Sequence, residues 1–350
     1  MNPRIKKVCT YLRSHKFGAI LVTQKSNISY LTGFNSCDAW LLITQSKSFY
    51  LTDFRYVLEV KKKLKGIQLV CYKKSFYDTV LSILIDEKVR ILAIDPDHLT
   101  VTQYKQLNRS VKSCAKLIKS QKVVERFRQQ KDAGELKLIK KALSIHKSTH
   151  HYLKRIVKPG ISEFEILRKL ENYVKSKDVG FSFEPIIASG PNSCYPHAKV
   201  THREIRNNEL VLIDMGIDVF GYKSDLTRMF FLGKIPELIW DVERKVREAQ
   251  RRAISVIKPG IMIGQVDDQA RNYLKENKLD SYFGHALGHG VGLDIHEDPR
   301  IGAKNTNKLE ENMVITIEPA VYLPNKFGIR IEDMVLVTNK GCKILSDDIY

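Results

Sequence analysis

The sequence predicts an α/β domain over residues 1–122, followed by an α+β domain over residues 123–350 that is internally pseudo-symmetric. Three observations carry this expectation. At 350 residues the chain is long for one hydrophobic core and suits two domains. Its first part alternates strand-like and helix-like segments, as an α/β layer does. Its second part contains an echo, RIVKPGIS at 155–162 and SVIKPGIM at 255–262, each following a helical run and preceding another.

The elements of the first domain follow in order. An amphipathic start, MNPRIKKVCTYLRSHK, leads into the apolar strand GAILVTQ and then into AWLLITQ and SFYLTDF. The helix YVLEVKKKL, the strand IQLVCY, the helix FYDTVLSILIDEK and the strand RILAID complete it. A polar, charged stretch, KSQKVVERFRQQKDAGE, then enters a long helix running to about Ile156, and the domain boundary is placed at its start. On that helix His146 and His150 stand at i and i+4. With Lys147 and Lys154 beside them and no carboxylate nearby, they read as a solvated face without function.

Composition bounds the function classes. With 43% hydrophobic and 28% charged residues the chain is an ordinary globular protein. No apolar run is long enough to span a membrane, and the first residues carry charges where a signal peptide needs its apolar core, so a cytoplasmic protein is expected. Six cysteines, Cys9, Cys37, Cys71, Cys114, Cys194 and Cys342, are scattered without a CxxC pair, as free thiols in a reducing compartment would be. The net charge of +19 is uneven: 24 Lys and Arg against 9 Asp and Glu in residues 1–130 leave 34 against 30 elsewhere. Because the lysines of VKKKLKG and SVKSCAKLIKSQK belong to no nucleic-acid motif, they read as a solvated basic surface, and no nucleic-acid partner is expected.

The second domain carries the chemistry. Asp214, Asp225, His289, Glu318 and Glu332 lie in LVLIDMGIDVFGYKSDLTR, GHALGHGVGLDIHE, VITIEPAVY and GIRIEDMVLV. Carboxylates in apolar strand-like runs are costly to bury unless a cation neutralises them. VLIDMGI and DLTRMFFLG read as a hairpin whose centre, between residues 219 and 220, would oppose Asp214 to Asp225. VITIEPAVY and GIRIEDMVLV read as a second hairpin, whose centre at Asn325 would oppose Glu318 to Glu332. Opposed carboxylates repel, and a metal between them reverses that sign. Gly288, Gly290 and Gly292 argue against a helix around His289 and for backbone packed closely against a neighbour. They fit neither GxxxxGK[ST] nor GxGxxG. His285, His289 and His296 cluster there with Asp294 and Glu297.

Carboxylates and imidazole without thiolate suit Mn²⁺, Co²⁺, Fe²⁺ or Zn²⁺. Two such ions sharing carboxylates lower the pKa of a shared water towards neutrality, which is hydrolytic chemistry.

Taken together, these motifs resemble the pita-bread metallopeptidases, and within them the branch of Xaa-Pro aminopeptidase (aminopeptidase P) and prolidase. NISYLTGF and LTDFRY resemble that branch's creatinase-type N-terminal domain, and IIASGPNSCYPHAK, LIDMG, SDLTR, GHALGHGVGLDIHE, TIEPAVY and GIRIED follow in order. The resemblance implies a metallo-aminopeptidase that releases the N-terminal residue from peptides with proline second, with two divalent ions, Mn²⁺ foremost. Asp214 would ligate one ion, Asp225 and Glu332 would bridge both, and His289 and Glu318 would ligate the second. Glu318 would also act as general base, and His197 and His296 would stand over the scissile carbonyl. His285 would line the pocket, and Arg330 would orient a bridging carboxylate or contact substrate. A homodimer with N-terminal domains near the neighbouring active site is implied, with Asp38 and Trp40 as contact residues or, alternatively, as part of a packed strand.

The chain departs from the usual pattern at Ala320, Met334 and Cys194. The neighbouring alternatives are a prolidase, a methionine aminopeptidase, a metal-free creatinase-like hydrolase and a non-catalytic binding protein.

Overall fold

The structure, a computed structural model, describes all residues except Met1, Ser36, Cys37, Lys74 and Tyr350. Cys37 therefore lies outside the described residues, and the other five cysteines are free thiols. The chain divides into two compact units, Met1–Arg128 and Gln129–Tyr350.

In the first unit the strands are β1 (Ala19–Val22), β2 (Ala39–Thr44), β3 (Ser48–Thr52), β4 (Gln68–Cys71), β5 (Ile91–Ile94) and β6 (Lys116–Lys119), in the sheet order β4-β3-β2-β1-β5-β6. The helices are α1 (Pro3–Ser14), α2 (Lys25–Thr32), α3 (Phe54–Lys63), α4 (Phe76–Asp86), α5 (Val101–Val111) and α6 (Val123–Gln129), the last running across the boundary. The central strands β1 and β2 are buried throughout and apolar at every position but Thr44, as a strand covered on both faces requires. Val80, Leu84, Leu107 and Val111, from α4 and α5, pack on Leu21, Leu42, Leu51 and Leu92 of the sheet. Trp40 belongs to this core, stacked on Phe76 with ring centroids 4.8 Å apart, so its segment is a packed strand. Asp38 is exposed and pairs with Arg55.

The second unit opens with α7 (Ala133–Ile156), whose N-terminus is closed by an Asp132–Glu135 capping box. It continues through α8 (Glu163–Lys175), α9 (Glu237–Ser255) and α10 (Ile263–Glu276). Its strands are β7 (Gly180–Phe181), β8 (Ile186–Ser189), β9 (Glu209–Met215), β10 (Ile217–Val219), β11 (Tyr222–Lys223) and β12 (Leu226–Leu232), then β13 (Gly288–Gly290), β14 (Glu297–Ile301), β15 (Val314–Ile317), β16 (Ala320–Leu323), β17 (Phe327–Arg330), β18 (Asp333–Val337) and β19 (Cys342–Ile344). They form a five-stranded sheet, β14-β13-β15-β18-β19, two three-stranded sheets, β12-β9-β8 and β11-β10-β7, and the pair β16-β17.

The KPG echo is structural. Gly160 and Gly260 adopt left-handed φ of 85° and 86° after α7 and α9. Gly160 N–H donates to Ile205 at 2.9 Å, and Gly260 N–H to Leu309 at 2.8 Å. The return bonds, Ile205 to Ile161 and Leu309 to Ile261, are both 2.9 Å. The same turn thus receives the same incoming strand in each half, as a duplicated unit requires.

The expectation for His146 and His150 is overturned. They lie on the buried stripe of α7 with Ile139, Leu143 and Leu153, and are 1% and 4% exposed. His146 Nδ1 meets Ser224 Oγ at 3.2 Å, and His150 packs on Phe230. Lys147, one position after His146, turns to a half-exposed ion pair with Asp348, and Lys154, a turn beyond His150, is exposed at the end of the helix, so the lysines do not keep the imidazoles out of the core. No helix among the described residues is long and apolar enough to cross a membrane.

Candidate metal centre

The hairpins deliver the carboxylates, one in the expected register and one shifted. Ile317 pairs with Asp333 and Ala320 with Arg330, so the centre is Asn325 and Glu318 faces Glu332 as expected. In the other hairpin Asp214 pairs with Thr227, not Asp225. The turn lies at Phe220-Gly221, both with positive φ (52° and 89°), which moves the centre one position along. Asp225 and Thr227 are two apart and share a face, so Asp225 still reaches the cluster diagonally.

Ligand atoms of Asp214, Asp225 and Glu332 lie within 4.8 Å of one another, as do those of His289, Glu318 and Glu332 and those of Asp225, His289 and His296. Burial, followed by the charges of neighbouring carboxylates, pushes the Asp225 and Glu332 carboxyls well above their ordinary range. Burial also lifts Glu318 to about 8. Asp214 is raised by burial against the pull of Arg330.

Hydrogen bonding defines what the cluster is built to hold. His289 Nδ1 lies 3.0 Å from the Gly290 carbonyl, which can only accept, so Nδ1 carries the proton. The Nε2 lone pair then faces Asp225 Oδ2 at 3.5 Å and Glu318 Oε1 at 3.4 Å. Burial holds this imidazole neutral, with its pKa lowered to about 4. With the carboxylates ionised, three acceptors thus face one another with no donor between them, and Asp214 Oδ1 is buried without a hydrogen-bond partner among the described residues. Such groups are satisfied by cations, and the oxygen and nitrogen donors suit hard to borderline divalent ions.

Around the cluster, Arg330 donates from Nη2 to Asp214 Oδ2 at 2.5 Å, from Nε to Thr227 Oγ1 at 2.9 Å, and from Nη1 to Tyr322 Oη at 2.6 Å and the Pro196 carbonyl at 3.1 Å. Thr227 passes its own proton to Glu332 Oε2 at 2.8 Å. His285 donates from Nδ1 to the Ala286 carbonyl at 2.8 Å, and its Nε2 accepts from Tyr322 at 3.3 Å. The Pro196 contact ties the turn carrying exposed His197 to Arg330. His296 stands edge-on to His289, with ring centroids 4.2 Å apart.

The structure brings together ligand atoms of Asp214, Asp225, His289, His296, Glu318 and Glu332, ties Arg330 to Asp214 and His285 to Arg330 through Tyr322, and leaves His197 on the turn that Arg330 holds at Pro196. It adds Thr227, Tyr322 and Thr316, whose Oγ1 lies 3.4 Å from Glu318 Oε1. Thr227 could have been found in sequence, because it stands two residues after Asp225 on the same strand face. The close packing expected of the glycines is present: a Cβ on Gly288 would lie 2.0 Å from the Thr316 carbonyl, and one on Gly290 2.4 Å from that of Asp298. Of the departures, Met334 puts its sulfur 3.3 Å from the Asp225 N–H, Ala320 opens β16 in the core, and Cys194 is buried.

An α/β unit followed in sequence by a pseudo-symmetric α+β unit with clustered buried carboxylates and imidazole is the build of a metal-dependent hydrolase that acts on peptides. The chain belongs to metallopeptidase family M24, which matches residues 137–339, and the Creatinase/Prolidase N-terminal domain matches residues 4–130. It is 32% identical over 351 residues to the Xaa-Pro dipeptidase of Pyrococcus horikoshii, covering 99% of this chain and 97% of that one. A solved Xaa-Pro dipeptidase from Bacillus anthracis superposes with a TM-score of 0.94 at 30% identity, over 98% of this chain and 97% of that one. A solved X-Pro aminopeptidase from Thermotoga maritima does so with 0.87 at 30% identity, over 95% and 97%. The fold is a creatinase-type N-terminal domain followed in sequence by the pita-bread catalytic domain.

Proposed function

We propose that this enzyme removes the N-terminal residue from peptides whose second residue is proline, using divalent cations held by Asp214, Asp225, His289, Glu318 and Glu332. The observation that carries the metal assignment is the His289 Nε2 lone pair set against Asp225 and Glu318. Two divalent ions, Mn²⁺ foremost, would make water acidic enough to attack at neutral pH and would neutralise charge on the carbonyl oxygen. Glu318 accepts the proton of the attacking water, and its raised affinity for protons suits that task. His197 and His296 donate to the carbonyl oxygen as charge develops, and His285 lines the pocket. Arg330 holds Asp214 in place.

Proline in second position presents a tertiary amide without N–H and with φ fixed, so recognition rests on shape and on capture of the free amine. The choice between aminopeptidase and prolidase turns on a carboxylate: a dipeptide places one beside the proline ring, and a longer peptide places a neutral amide there. Arg330 commits four hydrogen bonds to Asp214, Thr227, Tyr322 and Pro196, which supports longer peptides over dipeptides. The relatives named as dipeptidases support the second reading, an Xaa-Pro dipeptidase. The deciding measurement is kcat/KM for Ala-Pro, Ala-Pro-Ala and Ala-Ala-Ala with Mn²⁺. Preference for Ala-Pro would make the enzyme a dipeptidase, and equal cleavage of Ala-Ala-Ala would refute proline selection. A homodimer belongs to the same proposal, and light scattering of the full chain tests it.

A further inference from the structure

His296 is exposed and makes no side-chain hydrogen bond among the described residues, and it meets the cluster edge-on at His289. Its placement therefore depends on the backbone of the turn between Val291 and Glu297. That turn is folded around a carboxylate. Gly292 lacks a side chain where a Cβ would meet Glu297 Oε1 at 2.6 Å, and the Asp294 N–H points at Glu297 Oε2 from 3.4 Å. On the other side Lys131 Nζ donates to Glu297 Oε1 at 2.6 Å, with both side chains buried (1% and 7% exposed). Lys131 is itself fixed: its N–H donates to the Asn312 carbonyl at 2.9 Å, and Gln130 bridges to Met313 just ahead of β15.

We infer that the Lys131–Glu297 ion pair is the positioning device for His296, setting the turn so that the imidazole stands over the metal cluster. The inference rests on the proposed role of His296 at the scissile carbonyl. A buried ammonium and carboxylate in contact resist displacement, because separating them strands a charge in the core. One end of the pair is anchored on the strand that leads to Glu318, and the other is the residue next to His296. The pair therefore fixes the distance between the general base and the group that meets the developing charge.

The test uses the full-length, Mn²⁺-loaded protein with Ala-Pro-Ala. Lys131→Met is expected to lower kcat about 10- to 100-fold with KM changed less than about threefold and bound metal unchanged, as loss of alignment does. Lys131→Arg, which restores the charge, is expected to recover most of that loss. The effect should vanish in the His296→Ala background, because a device that acts through His296 has nothing left to position. A readout independent of turnover is diethylpyrocarbonate modification followed by mass spectrometry, in which His296 should react several-fold faster in Lys131→Met while exposed His202 stays constant. An equal loss of kcat in the His296→Ala background, loss of metal, or an unchanged His296 reaction rate would each overturn the inference. If the wild-type enzyme cleaves none of the peptides, the functional proposal fails, and the modification experiment still tests whether the pair holds His296.

Discussion

Arg330 donates to one oxygen of Asp214 at 2.5 Å and leaves the other, Oδ1, buried and without a hydrogen-bond partner among the described residues. The guanidinium thus selects which carboxylate oxygen remains for a cation. Arg330→Met is expected to weaken metal binding about 10- to 100-fold, the scale on which groups behind metal ligands act. Calorimetric titration of stripped protein with Mn²⁺ measures this, and unchanged affinity would assign Arg330 to substrate instead.

Asp225 and Glu332 each sit among four neighbouring acidic or imidazole ligands, so each would serve more than one cation position. Asp225→Asn and Glu332→Gln are expected to abolish activity, as chelation should, and added Mn²⁺ or Co²⁺ should restore only the chelated wild-type enzyme. Full activity in stripped enzyme would sink the metal assignment.

His296 acts on developing charge in the proposed mechanism. His296→Ala is therefore expected to lower kcat about 10²- to 10³-fold while elemental analysis finds the metal retained. Lost metal would make His296 a ligand, an outcome its closeness to Asp225 and His289 keeps open to test.

The two acidic hairpins show how far register was legible. Glu318 and Glu332 flank Leu323–Phe327, a loop whose centre follows from symmetry, and both neighbouring ladders obey it. The other turn places Phe220, a bulky residue 75% exposed, at positive φ where Asn or Gly is the usual signal. Nothing in VFGY marks that choice, so Asp214 was matched to the wrong partner by one turn position. The histidines of α7 were legible and misjudged. Positions 139, 143, 146, 150 and 153 form a helical stripe, and the periodicity outweighs two neighbouring lysines. Arg330's bonds to Thr227 and Tyr322 could not be read from spacing, because they join residues 103 and 8 positions apart through the fold.

The last expectation concerns the stripped protein and pH. Glu318 has a folded pKa of about 8, and Asp225 and Glu332 are raised well above their ordinary values, so the folded state holds protons that the unfolded chain releases above about pH 4. Stability contributed this way is lost as pH rises. His285, His289 and His150, each lowered to about 4, together with His146 and His296, act with the opposite sign, because the unfolded chain binds protons below about 6.5 that the folded state refuses. Between about pH 4 and 7.5 the two sets oppose each other. Above about 7.5 these five histidines are neutral in both states, and the raised carboxylates decide the slope. Metal-free protein is therefore expected to lose about 1 kcal/mol between about pH 7.5 and 9 through Glu318 alone. Urea unfolding in chelator, followed through Trp240 in a Trp40→Phe background, measures the catalytic unit. Saturating Mn²⁺ should abolish the decline, since cations take the place of the retained protons. A stripped protein as stable at about pH 9 as at about 7.5 would mean that the carboxylates are already neutralised from within the chain, and the cluster would no longer demand a metal.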